Sequence, residues 1–224
     1  YYRYLERAVE TLGDLLVQTV RPALQLERPV ATPLIGRATL VAQAQSGLAE
    51  GHVVHLIGGG GLGKTSLGAH LAAQWEKGGV FWYTFRPGLT DQLDQLLFTL
   101  AYFLHQQGAS ALWLHLNTNP QEVSANGALA VLRQHLIDLR TTPPLLCFDE
   151  VDLLLADDLH DQQEHVRLRA FLDDLSQEVR AGAPLLLIGQ KVLLQPQADC
   201  LIQVTPLTVP DLAAFCQSER IPLA

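Results

Sequence analysis

The sequence has no methionine, only three lysines and only three cysteines in 224 residues, and each scarcity excludes something. Non-specific nucleic-acid affinity comes mainly from clustered Lys and Arg neutralising phosphates. With 15 basic against 23 acidic residues, a formal charge of −8, and lysine confined to Lys64, Lys77 and Lys191, nucleic acid is not expected as a partner. Cys147, Cys200 and Cys216 are odd in number and show no C-x-x-C spacing. That argues against a disulfide frame or a zinc site and for buried thiols in a reducing cytoplasm. The eight histidines form no H-E-x-x-H arrangement, and His160 and His165, set among acids and glutamines, read as a solvated surface. No apolar stretch reaches the length of a membrane span, and no basic segment followed by an apolar one opens the chain. Neither a membrane nor export is expected. Tyr1 stands where an initiating Met would, and the last segment stops inside a recognisable pattern, so the sequence reads as part of a longer chain.

What is present is enough apolar content for a core, 48%, and one dense run of glycine. Gly58, Gly59, Gly60, Gly61, Leu62, Gly63, Lys64 and Thr65, with Ser66 after them, directly follow the apolar run Val53-Val54-His55-Leu56-Ile57. The pattern G-x-x-x-x-G-K-[ST] turns successive backbone N–H groups toward a polyphosphate, adds a lysine for the β and γ phosphates, and supplies a hydroxyl for Mg²⁺. The motif requires a strand before it and a helix after it. Leu67, Leu71 and Trp75 repeat at four-residue spacing and Gly78-Gly79 close the segment, which predicts a helix over 64–77 with its N-terminus facing the phosphates. A merely flexible glycine turn is the weaker reading.

Along the rest of the chain, Leu5, Val9, Leu12 and Leu16 alternate with charged residues, predicting an amphipathic helix over 1–20 that ends at Pro22. Pro29 and Pro33 make 28–33 an extended linker. Then helices (37–50, 64–77, 91–107, 126–140, 166–181) alternate with strands (52–57, 80–85, 145–148, 184–188, 201–204), with a loop near 117–120. Such alternation predicts an α/β fold of three layers, a mainly parallel five-stranded sheet with helices on both faces. Thr208-Val209-Pro210-Asp211 reads as a helix N-cap with an acid three residues on.

A second constellation is the strand Leu145-Leu146-Cys147-Phe148 ending in Asp149-Glu150, 85 residues beyond Lys64. The carboxyl end of a buried parallel strand opens into the crevice where ligands of open α/β sheets bind. Asp149 would then hold Mg²⁺ there with Thr65, and Glu150 would reach the attacking water to orient or deprotonate it. A third element is Leu185-Leu186-Leu187-Ile188 with Gly189-Gln190-Lys191 after it. If this strand lies between the loop strand and the Asp-Glu strand, its tip faces the γ phosphate and Gln190 is the polar group available to sense it.

Together these segments resemble the STAND class of P-loop ATPases, the signal-transduction ATPases that include the NB-ARC and NACHT modules. The matching residues are Leu34-Ile35-Gly36-Arg37, the loop through Leu67, Val80-Phe81-Trp82-Tyr83, 145–152, 185–190 and Val204-Thr205-Pro206-Leu207. The resemblance implies a nucleotide switch: ADP holds a closed monomer, ATP favours an open form that assembles with copies of itself, and slow Mg²⁺-dependent hydrolysis resets it. It also implies an effector domain upstream and a sensor domain downstream. By that likeness Leu34 and Ile35 line the adenine and Arg37 contributes nearby. The family often carries an arginine after the middle strand, where this chain has Gln190. The resulting organisation is a connector helix and linker over 1–30, a nucleotide-binding domain over 31–207 and the start of a helical lid over 208–224. Two alternatives stay open. One is an AAA+-like DNA-associated ATPase using Arg167, Arg169 or Arg180 in trans, and the other is a non-hydrolysing scaffold.

Overall fold

The computed structural model describes residues 4, 7–9, 11–12, 28–118, 125–139, 141–155, 162–179, 183–194 and 200–218. Short runs rich in Val, Leu, Ile and aromatic side chains form five strands: β1 (Val53–Ile57), β2 (Val80–Thr84), β3 (Leu145–Asp149), β4 (Leu185–Gly189) and β5 (Cys200–Gln203). They lie in the order β2-β3-β4-β1-β5, and every pairing is parallel. Parallel neighbours cannot be joined by hairpins, so the chain crosses over between strands through helices. Among the described residues α2 (Lys64–Ala73), α3 (Leu93–Gln106), α4 (Ala111–Thr118), α5 (Ala125–Asp138) and α6 (Gln162–Val179) lie between strands, with a 3₁₀ turn at Val151–Leu155, while α1 (Ala38–Ala49) precedes β1 and α7 (Val209–Ser218) follows β5.

The alternation of side chains along each strand divides the core in two. Val53, Phe81, Tyr83, Leu146, Phe148, Leu185 and Leu187 face a cluster completed by α3, α4, α5 and α6. Val54, Leu56, Trp82, Leu145, Cys147, Leu186 and Ile188 face the opposite cluster with α1 and α2. Helices therefore cover both faces, which is why β3 and β4 are buried at every position and read as unbroken apolar runs. Rings of Phe81, Tyr83, Phe85, Phe103 and Phe148 meet at centroid separations of 5.3–6.2 Å and fill the larger side.

Three sequence expectations change. The helix after the glycine loop ends at Ala73, not 77, and Trp75 turns back to donate its indole N–H to the Pro143 carbonyl at 3.0 Å. A separate helix, α4, occupies 111–118, including part of the expected loop. It is short, and its apolar residues Leu112, Trp113 and Leu116 are held by tertiary packing, with Trp113 against Phe98, Tyr102 and His105. Eight residues give too few turns for a periodic signal.

His165 is the third change. It is buried at 5% exposure, not solvated, and its Nε2 lies 3.7 Å from Asp91 Oδ2, while Asp91 also accepts the Gly88 N–H at 2.8 Å. Helix α6 begins at Gln162, four residues before its expected start, and its first turn fastens the β2–α3 connection. Glu164 accepts the Leu93 N–H at the head of α3 and pairs with Arg167. An acid-rich, glutamine-rich segment thus turns one polar pair inward because a partner from another element awaits it. His160 lies outside the described residues, as does most of the N-terminal amphipathic segment, although 4, 7–9 and 11–12 are helical.

Candidate nucleotide-binding site

The parallel register brings five strand ends to one edge of the sheet. Ile57 of β1 is level with Gly189 of β4 and Gln203 of β5, while Asp149 of β3 is level with Ile188 of β4 and Thr84 of β2. β4 lies between the glycine-loop strand and the Asp-Glu strand, the condition on which the Gln190 reading depended. The glycine loop, Asp149-Glu150 and Gln190 all leave the sheet from this edge.

The loop is shaped by its glycines. Gly63 enters α2 at φ +83°, a left-handed conformation that L side chains resist. Gly58 passes so close to the residue that follows β5 that a Cβ there would stand 2.4 Å from the Val204 carbonyl oxygen. A backbone atom cannot swing aside, so Gly58→Ala is expected to destabilise the fold by about 2 kcal/mol or more, read as a lowered midpoint in denaturant. An unchanged midpoint would show that the loop and β5 separate freely. Around Gly60, Gly61 and Gly63 an added Cβ would meet nothing within 4 Å, so this side of the loop is an open cradle of backbone.

Lys64 is buried at 8% exposure, and its Nζ donates to the Gly59 carbonyl at 2.9 Å, folding the ammonium back over the cradle. Thr65 donates its hydroxyl to Asp149 Oδ1 at 3.3 Å, joining the first turn of α2 to the end of β3. Ser66 is half-buried beside it. Asp149 is 3% exposed and also accepts the Glu150 N–H at 3.0 Å. Burial pushes its carboxyl up to about 6, against the downward pull of the Thr65 and Glu150 hydrogen bonds; the Glu150 charge adds to the rise and Lys64 opposes it.

Glu150 is half-buried and holds φ +58°, the only non-glycine residue of positive φ among those described. For a residue with a Cβ this costs on the order of 1–2 kcal/mol. Strain of this kind concentrates where a side chain must be aimed.

The donor set fits magnesium and a polyphosphate. The surroundings of a buried carboxyl oppose its ionisation, a hydroxyl donates to it, and a buried ammonium donates to a loop carbonyl beside the open cradle. A divalent cation would reverse the first condition and phosphate oxygens the third.

Arg37 reaches the loop, donating to the Leu62 carbonyl at 3.3 Å. Leu34 packs against the α1–α2 side of the core, and Ile35 is half-buried between them in sequence. Thr208 and Asp211 form the expected cap: Asp211 Oδ2 accepts the Thr208 N–H at 3.0 Å and hydroxyl at 2.6 Å, and the Thr208 hydroxyl accepts the Asp211 N–H at 3.3 Å. These bonds hold the Asp211 carboxyl below the usual range. Gln190 is exposed past the end of β4, and Lys191 next to it is exposed as well. Arg167 is engaged by Glu164, and Arg180 lies outside the described residues. The sequence reading left Asp152 without a role. Its Oδ1 accepts the Gln190 backbone N–H at 2.7 Å across a gap of 38 residues, a contact no local spacing announces.

Strand order, loop and acidic strand end define the α/β fold of the P-loop NTPases. Solved structures that share it include a STAND protein with a tetratricopeptide repeat sensor from Pyrococcus horikoshii (TM-score 0.64, 14% identity over 89% of this chain) and a Walker-type ATPase from Pyrococcus abyssi (TM-score 0.61, 15% identity over 89% of this chain). The chain spans 27% of the first protein and 63% of the second. A Drosophila ORC structure bound to DNA also aligns, at TM-score 0.49 and 16% identity over 76% of this chain and 91% of that one. No family model and no curated protein matches the sequence. Among the described residues no helix is long and apolar enough to cross a membrane.

Proposed function

We propose that the chain is the ATP- and ADP-binding regulatory module of a STAND-type signalling or defence ATPase. The observation that carries this reading is the convergence of Lys64, Thr65 and Asp149 at one sheet edge, with Gln190 just past the end of the strand between the loop and the acid. In this reading the N–H groups of 58–65 cradle the phosphates and Lys64 leaves the Gly59 carbonyl for the β and γ oxygens. Thr65 and Asp149 would hold Mg²⁺, which when bound supplies neutralising charge to the phosphates. Glu150 orients the attacking water and takes its proton at the carboxylate. Ile35 and Arg37 belong to the nucleoside side of the site, and Gln190 responds to the γ phosphate.

The switch itself follows from the same chemistry. Taking a two-state module from mostly closed to mostly open needs about 5 kcal/mol of preference, and the γ phosphate with Mg²⁺ is the only difference between ATP and ADP that can supply it. Assembly with copies of itself when ATP-bound, an effector upstream of residue 31 and a sensor downstream of the helical lid that begins at 208 complete the proposal. The charge of −8 supports a module that does not take nucleic acid as its partner, and the free thiols of Cys147, Cys200 and Cys216 support one that works in the reducing cytoplasm.

Glu150→Gln tests the enzymatic part. Turnover of Mg·ATP should fall about 100-fold or more while ATP affinity stays within about threefold, because the amide fills the same space but cannot take a proton. Turnover equal to the unaltered chain would remove Glu150 from the chemistry. A chain that binds Mg·ATP but never hydrolyses it would be the scaffold.

A further inference from the structure

The segment after β3 carries a third acid that the hydrolysis scheme does not use. Asp152 sits in the 3₁₀ turn that begins immediately after Glu150, and its Oδ1 accepts the Gln190 backbone N–H at 2.7 Å. The turn is closed on itself by the Leu153 N–H donating to the Glu150 carbonyl at 3.1 Å. On the other side Gly189, the last residue of β4, leaves no room: a Cβ there would stand 2.7 Å from Asp152 Oδ1 and 3.0 Å from Val151 Cγ2. The tip of β4 is thus seated on the turn that aims Glu150, with one carboxylate oxygen as the fastening.

From this contact we infer that Asp152 is a positioning residue, fixing Gln190 relative to Glu150 so that the γ-phosphate response and the water-orienting carboxylate move as one unit. The inference rests on the ATPase reading given above. Asp152 touches neither phosphate nor water in this scheme. It acts because the N–H it holds belongs to the residue whose side chain addresses the γ phosphate, and because the turn it anchors is continuous with the strained backbone of Glu150 at φ +58°. A hydrogen bond to a carboxylate is stronger than one to a neutral acceptor, yet an amide oxygen at the same place can still accept. Displacement of a catalytic group by about 1 Å is enough to cost up to two orders of magnitude in rate.

The test compares Asp152→Ala, Asp152→Asn and Gly189→Ala in the full chain, reading steady-state ATP hydrolysis, ATP and ADP affinity, and hydrogen exchange at the Gln190 amide. Asp152→Ala should lower kcat about tenfold or more with KM and ADP affinity within about twofold, and should speed exchange at Gln190. Asp152→Asn should restore most of the rate and the protection, and Gly189→Ala should resemble Asp152→Ala. Equal kcat in Asp152→Ala and the unaltered chain overturns the inference, as does Asp152→Asn behaving like Asp152→Ala, since a positional role needs only an acceptor. If the unaltered chain binds no ATP, the site reading fails by itself. If it binds ATP without turnover, exchange with a slowly hydrolysed ATP analogue decides. Gln190 protection that rises with the analogue in the unaltered chain and in Asp152→Asn but not in Asp152→Ala upholds the coupling, and protection indifferent to residue 152 overturns it.

Discussion

Lys64→Ala is expected to leave the chain folded and to weaken ATP and ADP binding by at least about 100-fold. Among the described residues the ammonium makes one hydrogen bond, to the Gly59 carbonyl, at the exposed loop. Its removal frees that carbonyl toward water and costs the fold only about 1 kcal/mol. The loss on the ligand side is far larger. A buried ammonium facing two phosphate oxygens makes charge-assisted hydrogen bonds of about 1.5–3 kcal/mol each, and two of them correspond to two or more orders of magnitude in dissociation constant. Titration calorimetry with Mg·ATP, alongside a thermal melt of the same sample, separates the two quantities. Unaltered affinity in a folded variant would take the phosphates away from this loop, and an unfolded variant would show that Lys64 anchors the loop itself. Arginine at the same position keeps the charge but not the reach of a single ammonium, and it should recover little of the affinity.

How much of this site was legible in the residues depends on whether its contacts are local. Gly58 to Thr65 form a continuous segment whose function is backbone geometry, and such a segment is visible as a spacing. Asp149 was visible because a buried parallel strand must end somewhere, and an acid after four apolar residues marks the end. The middle place of β4 stood only as the condition for the Gln190 reading, and the sheet order meets it. The Asp152 to Gln190 bond, the Asp91 to His165 pair and the Arg37 to Leu62 contact were invisible for one reason: each joins residues distant in sequence whose meeting is decided by sheet order and helix packing. His165 is the plainest instance. Its neighbours in the chain are polar, and only the return of the β2–α3 connection beneath α6 makes its position an interior one. The positive φ of Glu150 was equally hidden, because nothing in the residue type proposes a strained backbone there.

Asp149→Asn is expected to stabilise the nucleotide-free chain while removing its response to magnesium. The Asp149 carboxyl is raised from the usual carboxylate range to about 6, chiefly by burial. An acid whose pKa is higher in the folded chain than in the unfolded one binds its proton more tightly when folded. Its effect therefore favours the fold near pH 4, declines as the pH rises toward 6, and remains a penalty of about 2–3 kcal/mol above that. Asparagine carries no such penalty. Its amide oxygen can accept from the Thr65 hydroxyl and the Glu150 N–H, the two donors that now reach Oδ1. Without nucleotide the variant should melt several degrees higher at pH 7.5, and the advantage should shrink as the pH falls to about 4.5. With Mg·ATP the order reverses: the unaltered chain gains stability on binding, whereas the variant gains little and turns over about 100-fold more slowly, having lost a negative ligand for the cation. If the variant instead melts lower at pH 7.5 without nucleotide, the carboxylate is already compensated in the free chain and Lys64 is its partner. A group that costs the free fold energy and repays it only with cation bound is what a nucleotide switch requires. In the proposed switch the free and loaded states would then differ in stability at the strand end where Glu150 and the tip of β4 meet.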